Sequence, residues 1–86
     1  MIRMICRNKL ADFAKWKSIF DSHSDAHHKA GLSLESLWRG VENPNEVFFT
    51  FTVADIDKAK AFISAPDAEE TGRKSGVLDG DIWFVE

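Results

Sequence analysis

The sequence predicts an α+β fold with its elements in the order β-α-β-β-α-β. Four short segments, residues 2–7, 34–39, 46–53 and 81–86, are rich in apolar residues, which in 2–7 and 46–53 fall on alternate positions as in a half-buried strand. In the longer segments that separate them, apolar residues recur every three or four positions, as in a helix packed on one side. This order builds a ferredoxin-like fold, a four-stranded antiparallel sheet with helices on one face.

The first strand and the first helix are predicted from residues 2–7 and 10–30. Met4 and Cys6 share the apolar face of the strand, and Cys6, the only cysteine, is expected to be a small buried apolar residue. Residues 10–30 contain neither Gly nor Pro, and Gly31 supplies a C-terminal stop. The apolar residues on one arc of the helical wheel are Phe13, Trp16, Ile19, Phe20, Ala26 and Ala30. We therefore expect one long helix packed against the sheet.

The second half of the chain predicts a hairpin, a helix and a last strand. Residues 34–39 and 46–53 are strands joined by a turn rich in Asn, Gly and Pro. Asp55 is the expected N-cap of the second helix, which Pro66 ends because it lacks a backbone donor. Residues 67–75 begin with acids and end with bases, which favours a short third helix. Residues 81–86 complete the sheet.

The length and charge of the chain narrow its functional class. Eighty-six residues suit one domain, so we expect residues 1–86 to form a single domain. A formal net charge of -3 has the wrong sign for gripping a phosphate backbone, which argues against a nucleic-acid partner. No apolar run approaches the roughly 20 residues of a membrane-spanning helix, and the N-terminus does not resemble a signal peptide. We expect a cytoplasmic protein with no membrane partner.

The aromatic residues of the predicted strands indicate a homodimer. The chain contains seven Phe and three Trp, and both faces of the third and the last strand carry some of them. Phe49 and Phe51 share one face and Phe48 lies on the other, while Trp83 opposes Phe84. Two helices cover only one face of such a sheet, and a large bare apolar face is rare on a monomer. We therefore expect a second copy to pack on the open face.

Several segments resemble a known group of proteins. DFAKWKSIFDSHSDAHHKAG (residues 12–31), ENPNEV (42–47) and DIDKAKAFISAP (55–66), which leads to SGV (75–77), are similar to small bacterial proteins of the dimeric α+β barrel superfamily. That superfamily includes cyclase-like proteins, antibiotic-biosynthesis monooxygenases and members of unknown function. The resemblance implies two sheets that pack at a dimer interface, and a pocket between helices and sheet in each subunit. Because this architecture also hosts haem-degrading enzymes, isomerases and proteins with no known activity, the resemblance does not select one chemistry.

Two histidines on the first predicted helix are the candidate reactive residues. His23 and His27 lie four residues apart on its apolar arc, beside Trp16 and Phe20, so their side chains are expected to point toward the sheet. There a histidine can act as a general base or bind an acidic substrate, with His23 the candidate catalytic residue and His27 a candidate ligand contact. Both can instead be core histidines whose nitrogens are satisfied by hydrogen bonds. A Phe-Asp-x-His segment recurs on this helix in the resembled proteins, which favours His23 as the catalytic residue.

The residue types needed for a metal or haem site are incomplete. Histidines at i and i+4 can share a metal ion, but Ser24 stands where a His-Glu-x-x-His motif has its glutamate, and no third ligand is evident. Haem-degrading relatives use an asparagine at the end of the first strand, where Asn8 stands, although an asparagine there is more often a turn residue. They also use a tryptophan on the sheet, for which Trp38 or Trp83 qualifies, and a later histidine, whereas none follows His28 here. We expect no metal and no cofactor, and retain Trp38 and Trp83 as candidate ligand-binding residues.

Two functions fit these features. The first is a cofactor-free enzyme of monooxygenase, cyclase or isomerase type, or a binding protein, for a planar apolar small molecule. This molecule would lie between the first helix and the sheet, with Trp16 and Phe20 as walls and His23 moving a proton or orienting a carbonyl. The second is a non-catalytic dimerisation or sensing module whose aromatic residues only pack. A cavity on the order of 300 Å³ beside an accessible His23 supports the first, and a filled core supports the second.

Overall fold

The computed structural model describes residues 1–86 and contains four strands and four helices. The elements are β1 (Ile2–Leu10), α1 (Phe13–Ser22), α2 (Ser24–Lys29), β2 (Leu32–Arg39), β3 (Glu46–Val53), α3 (Ile56–Ser64), α4 (Pro66–Lys74) and β4 (Val77–Val85). The strands form one antiparallel sheet in the order β2-β3-β1-β4, and the helices cover one of its faces. The predicted ferredoxin-like α+β fold is therefore confirmed. No helix is both long enough and apolar enough to cross a membrane.

The two central strands, β1 and β3, supply most of the buried core. Met4 pairs with Phe51 and Cys6 pairs with Phe49, and all four lie on the face covered by the helices. Burial raises the pKa of the Cys6 thiol to about 12, so the thiol stays protonated. The alternation of β1 thus continues as predicted, and Cys6 is the small buried residue expected from the sequence.

The first helical segment is not continuous, contrary to the prediction. It starts at Phe13, because the Asp12 side chain accepts the backbone N–H of Lys15 and caps α1 there. It breaks at His23. In an unbroken helix the backbone N–H of His23 would donate to the carbonyl of Ile19, but here the side chains of Ser22 and His23 hydrogen-bond that carbonyl. The His23 N–H bonds the Phe20 carbonyl instead, in a tighter turn.

Three of the four strands are longer at one end than the sequence pattern predicts. β1 runs to Leu10 rather than residue 7, and Leu10 is buried in the core instead of starting a helix. β2 starts at Leu32, just after Gly31, whose φ of 76° supplies the predicted helix stop. β4 starts at Val77 rather than residue 81 and pairs with β1 along its length.

The second pair of helices follows the prediction closely. Asp55 caps α3 by accepting the backbone N–H groups of Asp57 and Lys58. Pro66 then ends α3 and occupies the first turn of α4, where its missing donor costs nothing. α4 spans residues 66–74. It has no buried residue, so it packs loosely on the helix-covered side of the sheet.

The face of the sheet without helices carries ion pairs as well as apolar side chains. Its ion pairs are Arg3–Glu35 at 2.9 Å, Arg7–Glu46 at 2.9 Å, Arg7–Asp79 at 3.0 Å and Arg7–Asp81 at 2.7 Å. Hydrogen bonds from Arg3 and Arg7 hold the pKa of Glu35 and of Asp79, respectively, below its usual value. Glu35 and Glu46 are thus the cross-strand partners for arginine, as residue type and position suggest. We call this surface the open face.

Candidate functional site

A cleft of about 800 Å³ lies between the helices and the sheet. Its floor is formed by side chains from all four strands: Met4, Cys6, Asn8, Leu32, Phe49, Phe51, Val77 and Ile82. One wall comes from α1 and α2: Trp16, Ile19, Phe20, His23, Ala26 and His27. The opposite wall comes from α3 and α4 and the residues that flank α4. Its volume lies in the range of small-molecule sites.

The aromatic wall of the cleft is built around Phe20. The Phe20 ring stacks on Trp16 with centroids 4.7 Å apart and meets Phe49 edge-on at 5.3 Å. Trp16 is only 3% exposed, so it supports Phe20 from behind, whereas Phe20 is half-buried and faces the cleft. The helical spacing of four residues places these two rings on the same side of α1.

His23 lines the cleft from the break between the two helices. Its Nδ1 lies 2.8 Å from the carbonyl oxygen of Ile19. A carbonyl oxygen only accepts hydrogen bonds, so this contact assigns the proton to Nδ1. In the neutral ring Nε2 is then unprotonated, and it is the nitrogen that remains available to a ligand.

His27 forms part of the same wall but has an aromatic environment. Its ring lies 5.1 Å from Phe20, 5.2 Å from Phe51 and 5.7 Å from Phe62, measured between centroids. Burial is the main cause that lowers the pKa of His27, and the nearby His23 adds to the effect. His27 is therefore neutral at neutral pH and acts as a flat, weakly polar surface.

Asn8, which the sequence favours as a turn residue, is a cleft residue. It lies inside β1, not in a turn, and follows Met4 and Cys6 onto the helix-covered face. Gly80 is its partner on β4, and a Cβ at Gly80 would lie 2.5 Å from the Asn8 Oδ1 atom. Gly80 thus leaves room for the Asn8 carboxamide on the cleft floor. The signal was present in the period of two that starts at Met4.

The Asn8 carboxamide is open to the cleft. No side chain or backbone group of the chain hydrogen-bonds the carboxamide. Every buried side-chain nitrogen or oxygen has a hydrogen-bond partner, so an unpartnered carboxamide is not buried. Its polar atoms are therefore accessible. A carboxamide offers both a donor and an acceptor, so Asn8 can bind a hydroxyl or a carbonyl group.

The two tryptophans of the sheet lie away from the cleft. Trp38 and Trp83 are on the open face and are 67% and 50% exposed. The structure thus brings together Trp16, Phe20, His23 and His27, but not Trp38 or Trp83. No three His, Cys, Asp or Glu side chains come together in a way that could hold a metal ion.

Comparison with known proteins assigns the fold. The sequence matches no protein-family model and no curated protein. Its structure resembles a protein described as an antibiotic biosynthesis monooxygenase from Bordetella bronchiseptica, with a TM-score of 0.79, 14% identity, and 99% of this chain and 94% of that chain covered. It also resembles SnoaB, a cofactor-independent oxygenase from Streptomyces nogalater, with a TM-score of 0.76, 12% identity, and 99% and 90% covered.

A third similar structure is an uncharacterised NIPSNAP domain protein from Burkholderia xenovorans, with a TM-score of 0.69, 10% identity, and 100% and 93% covered. The chain therefore has the fold of the antibiotic biosynthesis monooxygenase-like proteins. The structural similarity establishes the fold. At identities of 10–14% it does not establish the function, which is argued from the site.

Proposed function

We propose that this protein binds a planar, largely apolar small molecule in the cleft and acts on it as a cofactor-free enzyme. The observation that carries the proposal is that His23 lies in the wall of a mainly apolar cleft. Its Nδ1–H donates to the Ile19 carbonyl. A general base must offer an unprotonated nitrogen to its substrate. Nε2 of His23 meets that requirement.

The proposed chemical step is a proton transfer from the ligand to His23. Nε2 takes the proton of an acidic O–H or C–H group, and the bonding electron pair stays on the ligand as a phenolate or enolate. The Ile19 carbonyl then stabilises the imidazolium through Nδ1–H. The Asn8 carboxamide donates a hydrogen bond to the ligand oxygen that gains negative charge. Oxygenase, cyclase and isomerase reactions can each start from such an anion.

The aromatic wall supports a planar ligand. Phe20 and His27 present ring surfaces to the cleft, and Trp16 fixes Phe20 by stacking. Offset stacking between aromatic rings contributes about 0.5–1.5 kcal/mol beyond the area it buries. The likeness in fold to SnoaB, a cofactor-independent oxygenase, is consistent with chemistry that needs no cofactor.

The second candidate is a non-catalytic binding or sensing module. The observation in its favour is that the His23 Nδ1 atom has a structural role, because it caps the end of α1 with or without a ligand. In that case the cleft still binds a small molecule, but no ligand proton moves to Nε2.

We also propose that the protein is a homodimer formed through the open face. Trp38 and Trp83 are exposed there, and Phe48 and Val85 add apolar surface beside them. Arg3 is already paired with Glu35 within one chain, so burying that pair leaves neither partner alone. An isologous interface would cover these side chains in both copies at once.

The test of ligand binding uses the fluorescence of N-phenyl-1-naphthylamine, a planar apolar probe. We expect saturable binding by the native protein and its loss in Ala26→Trp, which fills the cleft from α2. Ala14→Trp, on the exposed side of α1, is the matched control and should bind as the native protein does. Absent binding by the native protein, or equal binding by both variants, would contradict the proposal.

Catalysis needs a ligand that the cell supplies. Native mass spectrometry of the purified protein should find a retained small molecule whose mass is absent from Ala26→Trp. Incubated with that molecule, the native protein should convert it and His23→Ala should not, while both still bind it. Equal conversion by the two proteins would remove His23 from the mechanism, and binding without conversion by either would favour the non-catalytic module.

A further inference from the structure

The charged side chains that line the cleft all belong to α4. They are Asp67, Glu69, Glu70, Arg73 and Lys74, and all five are exposed at the rim. Glu70 and Lys74 form an ion pair at 3.2 Å. The remaining two acids and one arginine leave the rim with one net negative charge.

The floor and the α1–α2 wall of the cleft carry no Asp, Glu, Lys or Arg side chain. Its floor and its α1–α2 wall contain apolar residues and the polar side chains of Asn8, His23 and His27. Two groups there that could ionise are held neutral, since burial keeps the Cys6 thiol protonated and the His27 ring unprotonated at neutral pH. The charged or titratable groups that alter the pKa of His27 are His23 and His28, and both lower it.

Three of the four arginines lie outside the cleft, and the fourth, Arg73, is exposed at its rim. Arg3 and Arg7 lie on the open face in ion pairs. The Arg39 guanidinium lies 3.9 Å from the centroid of the Phe13 ring, and its Nε donates to the carbonyl of Pro44. None of these three residues lines the cleft. A ligand carboxylate or sulfonate placed on the floor, against the α1–α2 wall, would therefore lose its hydration with no lysine or arginine on those surfaces to pair with it.

From this distribution of charge we propose that the cleft selects uncharged ligands and rejects anionic analogues of the same shape. The inference rests on the proposed function, because it assigns a ligand class to the same cleft. Asn8 and His23 supply hydrogen bonds suited to a neutral hydroxyl or carbonyl group, while the net negative rim repels an approaching anion. The substrate class is thus a neutral aromatic molecule that carries hydroxyl or carbonyl groups and no acid group.

A matched pair of fluorescent probes tests the selection. N-phenyl-1-naphthylamine is neutral, and 8-anilinonaphthalene-1-sulfonate has the same ring skeleton with an added sulfonate. At about pH 8, above the ordinary pKa of a histidine side chain, the native protein should bind the neutral probe at least about tenfold more tightly. Equal affinities, or tighter binding of the sulfonate, would overturn the inference and leave the proposed function intact. Failure to bind either probe would overturn both.

A lysine inside the cleft provides the converse test. Ala26→Lys places a cation in the α2 wall and should raise the affinity for the sulfonate by at least about fivefold. Ala14→Lys adds the same charge outside the cleft and should leave both affinities unchanged. Circular dichroism checks that both variants fold. If both lysines raise sulfonate binding equally, the selection reflects overall charge and the inference fails.

Discussion

His23 lies with its Nδ1 atom 2.8 Å from the carbonyl oxygen of Ile19, one turn earlier in the chain. The hydroxyl of Ser22 donates to the same oxygen at 2.6 Å. These two contacts end α1, and they also hold the His23 ring in the wall of the cleft with its second nitrogen free. The break in the helix and the candidate base therefore have the same physical cause.

The first prediction concerns the tautomer of His23. The Ile19 contact requires the Nδ1–H form when the ring is neutral. ¹⁵N chemical shifts of the imidazole nitrogens, recorded at about pH 8, should therefore report a protonated Nδ1 and an unprotonated Nε2. The opposite tautomer would mean that His23 cannot serve as the proposed base.

The second prediction concerns the space that Gly80 leaves for Asn8. Gly80→Ala should destabilise the protein by about 1–3 kcal/mol, because the added Cβ would lie 2.5 Å from Asn8 Oδ1 and 3.1 Å from the Arg7 carbonyl. Adding Asn8→Ala should recover part of that loss, as measured by urea denaturation. Strictly additive effects would show that the two side chains do not compete for space.

Gly72→Ala is the matched control for this experiment. Gly72 lies inside α4, where an added Cβ would meet only Val77 at an ordinary 4.0 Å. Alanine is about 1 kcal/mol more favourable than glycine in a helix interior. This variant should therefore be at least as stable as the native protein, and a loss equal to that of Gly80→Ala would remove the steric explanation.

The third prediction concerns the pH dependence of stability at His27. Folding lowers the pKa of His27, so the unfolded chain binds more protons than the folded chain as the pH falls through and below about 6.5. The contribution of His27 to stability is therefore complete above that pH and is lost at lower pH. Replacing His27 with Phe removes this loss and should reduce the fall in Tm between about pH 7.5 and 5.5. An unchanged fall in Tm would show that folding does not alter the proton affinity of His27.

The fourth prediction concerns the oligomeric state. Light scattering at micromolar concentration should find a dimer for the native chain. Trp83→Lys should convert it to a monomer, because a lysine would be buried in the proposed interface. Ala14→Lys, on a helix of the other face, should remain a dimer. A monomeric native protein, or a dimer insensitive to Trp83→Lys, would contradict an interface on the open face.

The fold followed from local patterns, whereas parts of the site depended on irregularities that such patterns do not encode. The period of two in β1 predicted the buried positions of Met4 and Cys6. Continuing it by one step would have identified Asn8, but an asparagine at a strand end also suggests a turn. The break at His23 could not be predicted from Gly or Pro, because side-chain hydrogen bonds to Ile19 cause it.

The position of Trp38 shows a second kind of irregularity. The register of β2 against β3 shifts between Leu34 and Ser36, so that two residues of β2 occupy the place of one. Without that shift Trp38 would share the face of Leu34 and point toward the helices. With it, Trp38 pairs with Phe48 on the open face. The sequence marks this shift only by the three-residue step from Leu34 to Leu37, where the strand period is two.

The most direct test of the ligand cleft uses the indole N–H signals of the three tryptophans. Trp16 borders the cleft, whereas Trp38 and Trp83 lie on the open face. During an NMR titration with N-phenyl-1-naphthylamine, we predict that the Trp16 signal shifts and saturates while the other two stay in place. Shifts of Trp38 or Trp83 with an unchanged Trp16 would place the ligand on the open face and contradict a binding site beneath the helices.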